Sequence, residues 1–225
     1  MTNHLMLQFD ADLMELRSRL LDMGGKVEKM VIDAMQSFVE RDSELAGMVI
    51  AGDKDIDRME MEIDERCLEI LAQRQPAARD LRFITLTMKI VTDLERIGDK
   101  SRNIARRALE LNDLPPLELL PELSQMAELT AAMVADALYA FVRHDDILAF
   151  DVCRRDNEVN ILNEHIQHEL LTLMIDDPAM ITRTLKLTAI AKHLERIADH
   201  ATNVAEMVIF MVNGKDVRHS GLEAT

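Results

Sequence analysis

Asp93 to Ala105 reads DLERIGDKSRNIA, and His193 to Ala205 reads HLERIADHATNVA. One hundred residues apart, seven positions are identical: Leu94/Leu194, Glu95/Glu195, Arg96/Arg196, Ile97/Ile197, Asp99/Asp199, Asn103/Asn203 and Ala105/Ala205. The apolar members recur at helical spacing and mark a buried stripe. Glu-x-x-x-Asp, in contrast, has no packing role, and it occurs twice in the same setting.

The likeness extends outward from these stretches. With a shift of 103 residues, MVIDAMQSFVERD from Met30 lies over MVADALYAFVRHD from Met133. The same shift sets Asp53 on Asp156, Ile56 on Val159, Asp57 on Asn160 and Ile63 on Ile166. Because the motif shift is 100, the second copy is three residues shorter, around the turns holding Pro76 and Pro178. An internal repeat of this size sets the architecture.

Each copy reads as three helices. Ile56, Met59, Ile63, Cys67 and Ile70 define the core face of the second, and Ile90, Val91, Leu94, Ile97, Ile104 and Ala108 that of the third. Gly47 and Gly52 are expected to bracket the first turn, and Gln75-Pro76 the second. Asn112-Asp113-Leu114-Pro115-Pro116 ends copy one, because a proline pair cannot continue a helix. Gly24-Gly25 predicts a kink in the first helix, at roughly 1 kcal/mol per Gly relative to Ala. The expected fold is all-α: a tandem duplication of a three-helix bundle, six helices in two antiparallel bundles side by side. Residues 1–113 form the first bundle, 114–213 the second, and 214–225 a polar tail.

Composition agrees. The 225 residues are 48% hydrophobic, with 16 Met and no Trp, and only 7 Gly and 5 Pro interrupt them. Net charge is −15, from 26 Lys plus Arg against 41 Asp plus Glu. No basic stripe is available for phosphate contacts, so nucleic acid is not an expected partner. The run Met207–Val212 falls far short of the about 20 residues that cross a bilayer, so no membrane insertion is expected, and no signal peptide is evident. Cys67 and Cys153, without a CxxC, read as reduced thiols of a cytoplasmic protein.

On the third helix, Glu95, Asp99 and Asn103 fall roughly 100°, 140° and 180° from Leu94 at 100° per residue, on the outward face. Glu195, Asp199 and Asn203 do the same in copy two. Carboxylates at i and i+4 repel unless neutralised, and a divalent or trivalent cation favours such oxygens. Folding the hairpin at Gln75 brings Asp53 and Asp57 level with the first motif, and Asp156 and Asn160 level with the second. Those ten residues are the candidate metal ligands. Copy two lacks three cations of copy one, since His200, Thr202 and Glu206 replace Lys100, Arg102 and Arg106. A metal-free helical scaffold whose acids form salt bridges is one alternative. Another is a carboxylate-bridged di-metal enzyme of the ferritin-like kind, but that requires Glu-x-x-His, which the sequence does not contain. No phosphate-binding loop, HExxH or EF-hand occurs, and no nucleophile is set beside a base. An enzyme is therefore not expected.

The doubled LERI[GA]D…N[IV]A, the tandem copies and the segment PAARDLRF (Pro76–Phe83) together resemble the PhoU family of bacterial phosphate-uptake regulators. The resemblance implies a cytoplasmic negative regulator, peripheral at the inner membrane through its partners. Those implied partners are the ATPase of the phosphate ABC transporter and a phosphate-sensing histidine kinase. It also implies a homodimer, and a metal cluster (iron, zinc, manganese or magnesium) on the motif acids Glu95, Asp99, Glu195 and Asp199. Copy two departs at Pro178–Arg183, where PAMITR stands instead.

Overall fold

The computed structural model describes residues 2–74, 76–116 and 120–214, with side chains from Leu7 onward. The tail expected at 214–225 lies outside the described residues beyond Gly214. Six α-helices follow one another among the described residues: α1 (Thr2–Val39), α2 (Ser43–Gln73), α3 (Ala78–Asn112), α4 (Pro121–Arg143), α5 (Asp146–Asp176) and α6 (Ile181–Asn213). A single 3-10 turn, Pro178–Met180, precedes α6. None of these helices is long and apolar enough to cross a membrane.

Helices α1, α2 and α3 pack as one antiparallel bundle, and α4, α5 and α6 as another. The seam between them is made by α3 on α6 and by α1 on α4. The two motif helices are thus the inner helices, each with neighbours on three sides. Leu94 and Leu194 are fully buried, as are Ile90, Ile104, Ile190 and Val204 around them, and one continuous core runs through both bundles. Close packing at such sites makes a Leu→Ala change there worth about 2–5 kcal/mol.

The first turn of each bundle is not built by glycine. Gly47 and Gly52 lie inside α2, where a side chain would meet nothing within 4 Å, so neither a turn nor a close approach requires glycine there. Arg41 instead adopts the left-handed region at φ 57°, and its counterpart His144 does so at φ 56°. The aspartate that follows each one caps the next helix. Asp42 accepts from the Glu44 and Leu45 amides, at 3.0 and 2.9 Å. Asp145 accepts from the Leu148 amide at 3.0 Å. Caps of this kind contribute about 1 kcal/mol.

At Gly24, α1 continues without a break, and the reason for glycine is steric. A Cβ there would come within 2.7 Å of Leu138 Cδ1, so the residue allows α1 and α4 to approach closely. α6 stops where Gly214 enters the left-handed region at φ 68°, its amide bonded to the Phe210 carbonyl; φ there suits glycine.

Candidate site: two acidic grooves

The hairpin of α2 and α3 turns at Pro76 and brings Asp53 beside Asp99 and Asp57 beside Glu95. Arg102 bridges the first pair: one guanidinium nitrogen contacts Asp53, and another lies 2.7 Å from Asp99 Oδ1. Asp53 is only 5% exposed. Burial raises its carboxyl above the usual range even though Arg102 opposes the shift, and Asp57 and Asp99 add to the rise. Glu95 is also raised, first by burial and then by Asp99, with Glu60 and Asp57 contributing further.

Two more acids that the spacing argument missed complete this groove. Glu60 and Asp64 continue the Asp53–Asp57 column along α2 at i+7 and i+11, and burial raises both carboxyls. Thr92 of α3 lies beside Glu60 and opposes the rise of its carboxyl, and Asp64 Oδ1 is buried without a hydrogen-bond partner. Their signal was present in the sequence as a helical column of acids facing the motif.

In the second bundle, Asp156 sits with Asp199 and Glu195, whose charges, after burial, raise its carboxyl. It accepts from Thr202 Oγ1 at 3.3 Å and from Asn160 Nδ2 at 3.1 Å. Glu195 pairs with Lys192, and Asp199 with Arg196 at 3.1 Å. Groove two is chemically different, because the column Asp53, Asp57, Glu60, Asp64 becomes Asp156, Asn160, Asn163, Gln167. Three carboxylates have become amides, and Thr202 stands where Arg102 stood.

The expectation of an outward face for the motif acids needs correction. The side chains of Glu95, Asp99, Glu195 and Asp199 are 15%, 20%, 17% and 39% exposed, in the cleft between helices. An angular projection from Leu94 overlooks that α3 and α6 are enclosed by three neighbours. The asparagines separate from the acids as well. Asn203 Nδ2 donates across the seam to Asp93 Oδ1 of the other bundle at 3.2 Å, beside a 2.8 Å contact from His200 Nδ1 to the same oxygen. Asn203 is therefore not brought into groove two; Asn103, half-buried, holds the matching position on α3. At the opposite end of the seam, His193 lies near Lys100 and Arg107. Burial, then those two charges, lower its pKa.

Eight of the ten candidate ligands thus fall into two grooves, Asp53, Asp57, Glu95 and Asp99 in one and Asp156, Asn160, Glu195 and Asp199 in the other. Among the described residues, no three His, Cys, Asp or Glu side chains are set so as to hold a metal ion as they stand. The donor chemistry is that of a hard-cation site, and in groove one Arg102 already supplies a cation.

Fold and grooves together define a helical tandem-repeat protein with charged clefts on both halves. Residues 20–108 and 123–208 each match the PhoU domain model, and the chain belongs to the PhoU family. It is 46% identical over 224 residues to the phosphate-specific transport system accessory protein PhoU homolog of Pseudomonas putida, covering 99% of this chain and 88% of that one. With the Escherichia coli K12 accessory protein PhoU it shares 38% over 221 residues, 98% of this chain and 92% of that one. The crystal structure of PhoU from Pseudomonas aeruginosa superposes with a TM-score of 0.90 at 44% identity, covering 92% of this chain and 100% of that one. The phosphate transport system regulatory protein PhoU from Streptococcus pneumoniae gives 0.86 at 31% identity, over 93% and 99%.

Proposed function

We propose that this chain is a non-enzymatic accessory of a phosphate-specific transport system, acting in the cytoplasm as an adaptor between the transporter ATPase and a phosphate-sensing histidine kinase. In this reading it represses phosphate-responsive transcription when phosphate is plentiful. The observation that carries the reading is the match of both halves, over nearly their whole length, to relatives named as accessory proteins of such a system. The geometry supports binding rather than turnover: two rigid bundles present charged clefts, and the thiols of Cys67 and Cys153 are buried and pushed up to about 12 by that burial.

A bound hard cation belongs to the same proposal. Asp57, Glu60 and Glu95 in groove one, and Asp156, Glu195 and Asp199 with the Asn160 amide oxygen in groove two, are the groups that would hold it. Of these, the carboxyls of Glu60, Glu95 and Asp156 are raised by burial and by like charges nearby, and a divalent ion would offset that repulsion. A homodimer is part of the reading too, supported by the exposed apolar side chains Met61 and Leu68 on α2 and Ile161 and Leu171 on α5.

The test is a deletion strain carrying a phosphate-responsive reporter, grown with ample phosphate. Loss of repression, restored by the wild-type gene, is expected; unchanged repression overturns the adaptor reading. Light scattering on the purified protein checks the dimer, and metal analysis of chelator-free preparations checks the cation.

A further inference from the structure

In a chain of net charge −15, most basic side chains of the described residues are neutralised by acids. One cavity gathers several that are not. At the pole where the α2–α3 and α4–α5 turns meet the end of α6, a cavity of about 490 Å³ is lined by Arg17, Arg79, Arg82 and His144, with Asp80 as its one carboxylate. Among the described residues, none of the three arginines is paired with a carboxylate.

Two of them are held by aromatic faces instead. The Arg17 guanidinium lies 4.9 Å from the centre of the Phe83 ring, and that of Arg82 lies 5.3 Å from Phe210. Stacking fixes a guanidinium in place yet leaves its N–H donors available. Of these donors, Arg82 Nη1 reaches only the Met211 carbonyl, at 3.4 Å. His144 sits among them in its left-handed turn conformation, and its pKa is lowered by burial and then by Arg17 and Arg79. Three cations and an imidazole thus converge with little to neutralise them. The start of α3, capped by Ala77 without a side-chain hydrogen bond, adds open backbone N–H groups on the same wall.

The corresponding place in the other half shows what a closed version looks like. Arg41, the counterpart of His144, spends its guanidinium on the Asn112 and Leu114 carbonyls at 2.7 and 2.6 Å, and the cavity beside it is only about 60 Å³.

We infer that the Arg17–Arg79–Arg82–His144 cavity is an oxyanion site that takes the phosphoryl group of orthophosphate or of a small phosphorylated molecule. A tetrahedral dianion has acceptors enough for several guanidinium forks, whereas a monocarboxylate satisfies only one. The cavity's apolar wall, which includes Phe83 and Met211, leaves room for an organic group beyond the phosphoryl. The site lies apart from the acidic grooves and stands whether or not the adaptor reading holds.

Calorimetric titration of the full-length protein at low ionic strength, with sodium phosphate, AMP and sodium acetate in separate arms, tests it. Saturable binding of phosphate identifies the free anion, and binding of AMP alone identifies a phosphorylated molecule. In either case R17Q and R79Q each weaken binding about tenfold or more, as expected for a lost charge-assisted contact. Both residues are exposed, so folding is retained, which thermal melts verify. Arg183→Gln, in the departing segment of the second half, leaves binding unchanged. Absence of binding by both phosphate and AMP, equal binding of acetate, or undiminished binding by the R17Q/R79Q double variant overturns the inference.

Discussion

Replacing Arg102 by Met keeps the bulk of the side chain and removes the one cation that, among the described residues, touches Asp53. The Asp53 side chain is 7% exposed and that of Arg102 23%. Breaking a fully buried ion pair costs about 3–5 kcal/mol, because a charge is left without a partner in low dielectric. Water reaches Arg102, which discounts the effect to about 2–3 kcal/mol. For a chain of this size that corresponds to a fall in Tm of about 5–10 °C. Asp99 also loses a contact, but Arg96 remains 3.8 Å away, so the Asp53 term dominates. Urea and thermal denaturation with chelator at pH 7 measure R102M, D53N and R102M/D53N. The double variant is expected to recover to within about 1 kcal/mol of wild type, since an amide needs no counter-charge. A raised carboxyl is stabilised by its proton, so the deficit of R102M grows as pH rises through the folded pKa of Asp53 and shrinks on acidification. The reasoning fails if R102M lies within about half a kcal/mol of wild type, or if the double variant is no better than the single.

Three further outcomes follow from the same structure. Glu60→Gln with Asp64→Asn stabilises the protein at pH 7 in urea titrations, because burial raises both carboxyls. Raised folded pKa values mean stability lost as pH rises, so the advantage disappears as pH falls toward the unfolded carboxylate range near about 4. Gly25→Ala, in open space within a helix, raises stability by about 1 kcal/mol, whereas Gly24→Ala gains less or loses because Leu138 must move; thermal melts of the two variants separate propensity from packing. Cys67 and Cys153 remain unreactive toward a thiol reagent in native protein, both raised to about 12, and react in urea; rapid native labelling would show that the bundles open readily.

The repeat was legible in full because apolar periodicity and identity at a fixed shift reinforce each other. Leu94, Ile97 and their partners Leu194 and Ile197 are buried as the stripe requires. The register of α2 against α3 came within a residue or two, since one proline fixes the hairpin. Three things were not legible. Gly47 and Gly52 suggest the first turn, yet Arg41 and His144 bend the chain with an aspartate cap after each, a signal carried by the Asp42/Asp145 match. Motif acids expected on an outward face lie in clefts, because a single-helix projection does not show how many neighbours enclose the helix. Finally, Asn203 shares a helix with Asp199 but points across the seam, a direction set by α3.

That seam also shows how two like halves came to differ. Asp93 faces His200 and Asn203, whereas His193, in the matching place, lies near Lys100 and is held toward its neutral form. The grooves diverge in the same way, with carboxylates and a guanidinium in one, amides and Thr202 in the other. If Arg102 is the internal counter-ion of groove one, then placing arginine at the matching position should give groove two the same property. T202R sets a guanidinium near Asp156, whose carboxyl is raised by burial and by Asp199 and Glu195. The expected gain is about 1 kcal/mol in denaturation at pH 7, smaller than the loss in R102M because Asp156 is less enclosed than Asp53. Should groove two hold a divalent cation, manganese raises the Tm of wild type and fails to raise that of T202R, while R102M acquires a manganese response of its own in groove one. A manganese shift identical in wild type, T202R and R102M would place the ion elsewhere and remove the grooves from the proposal.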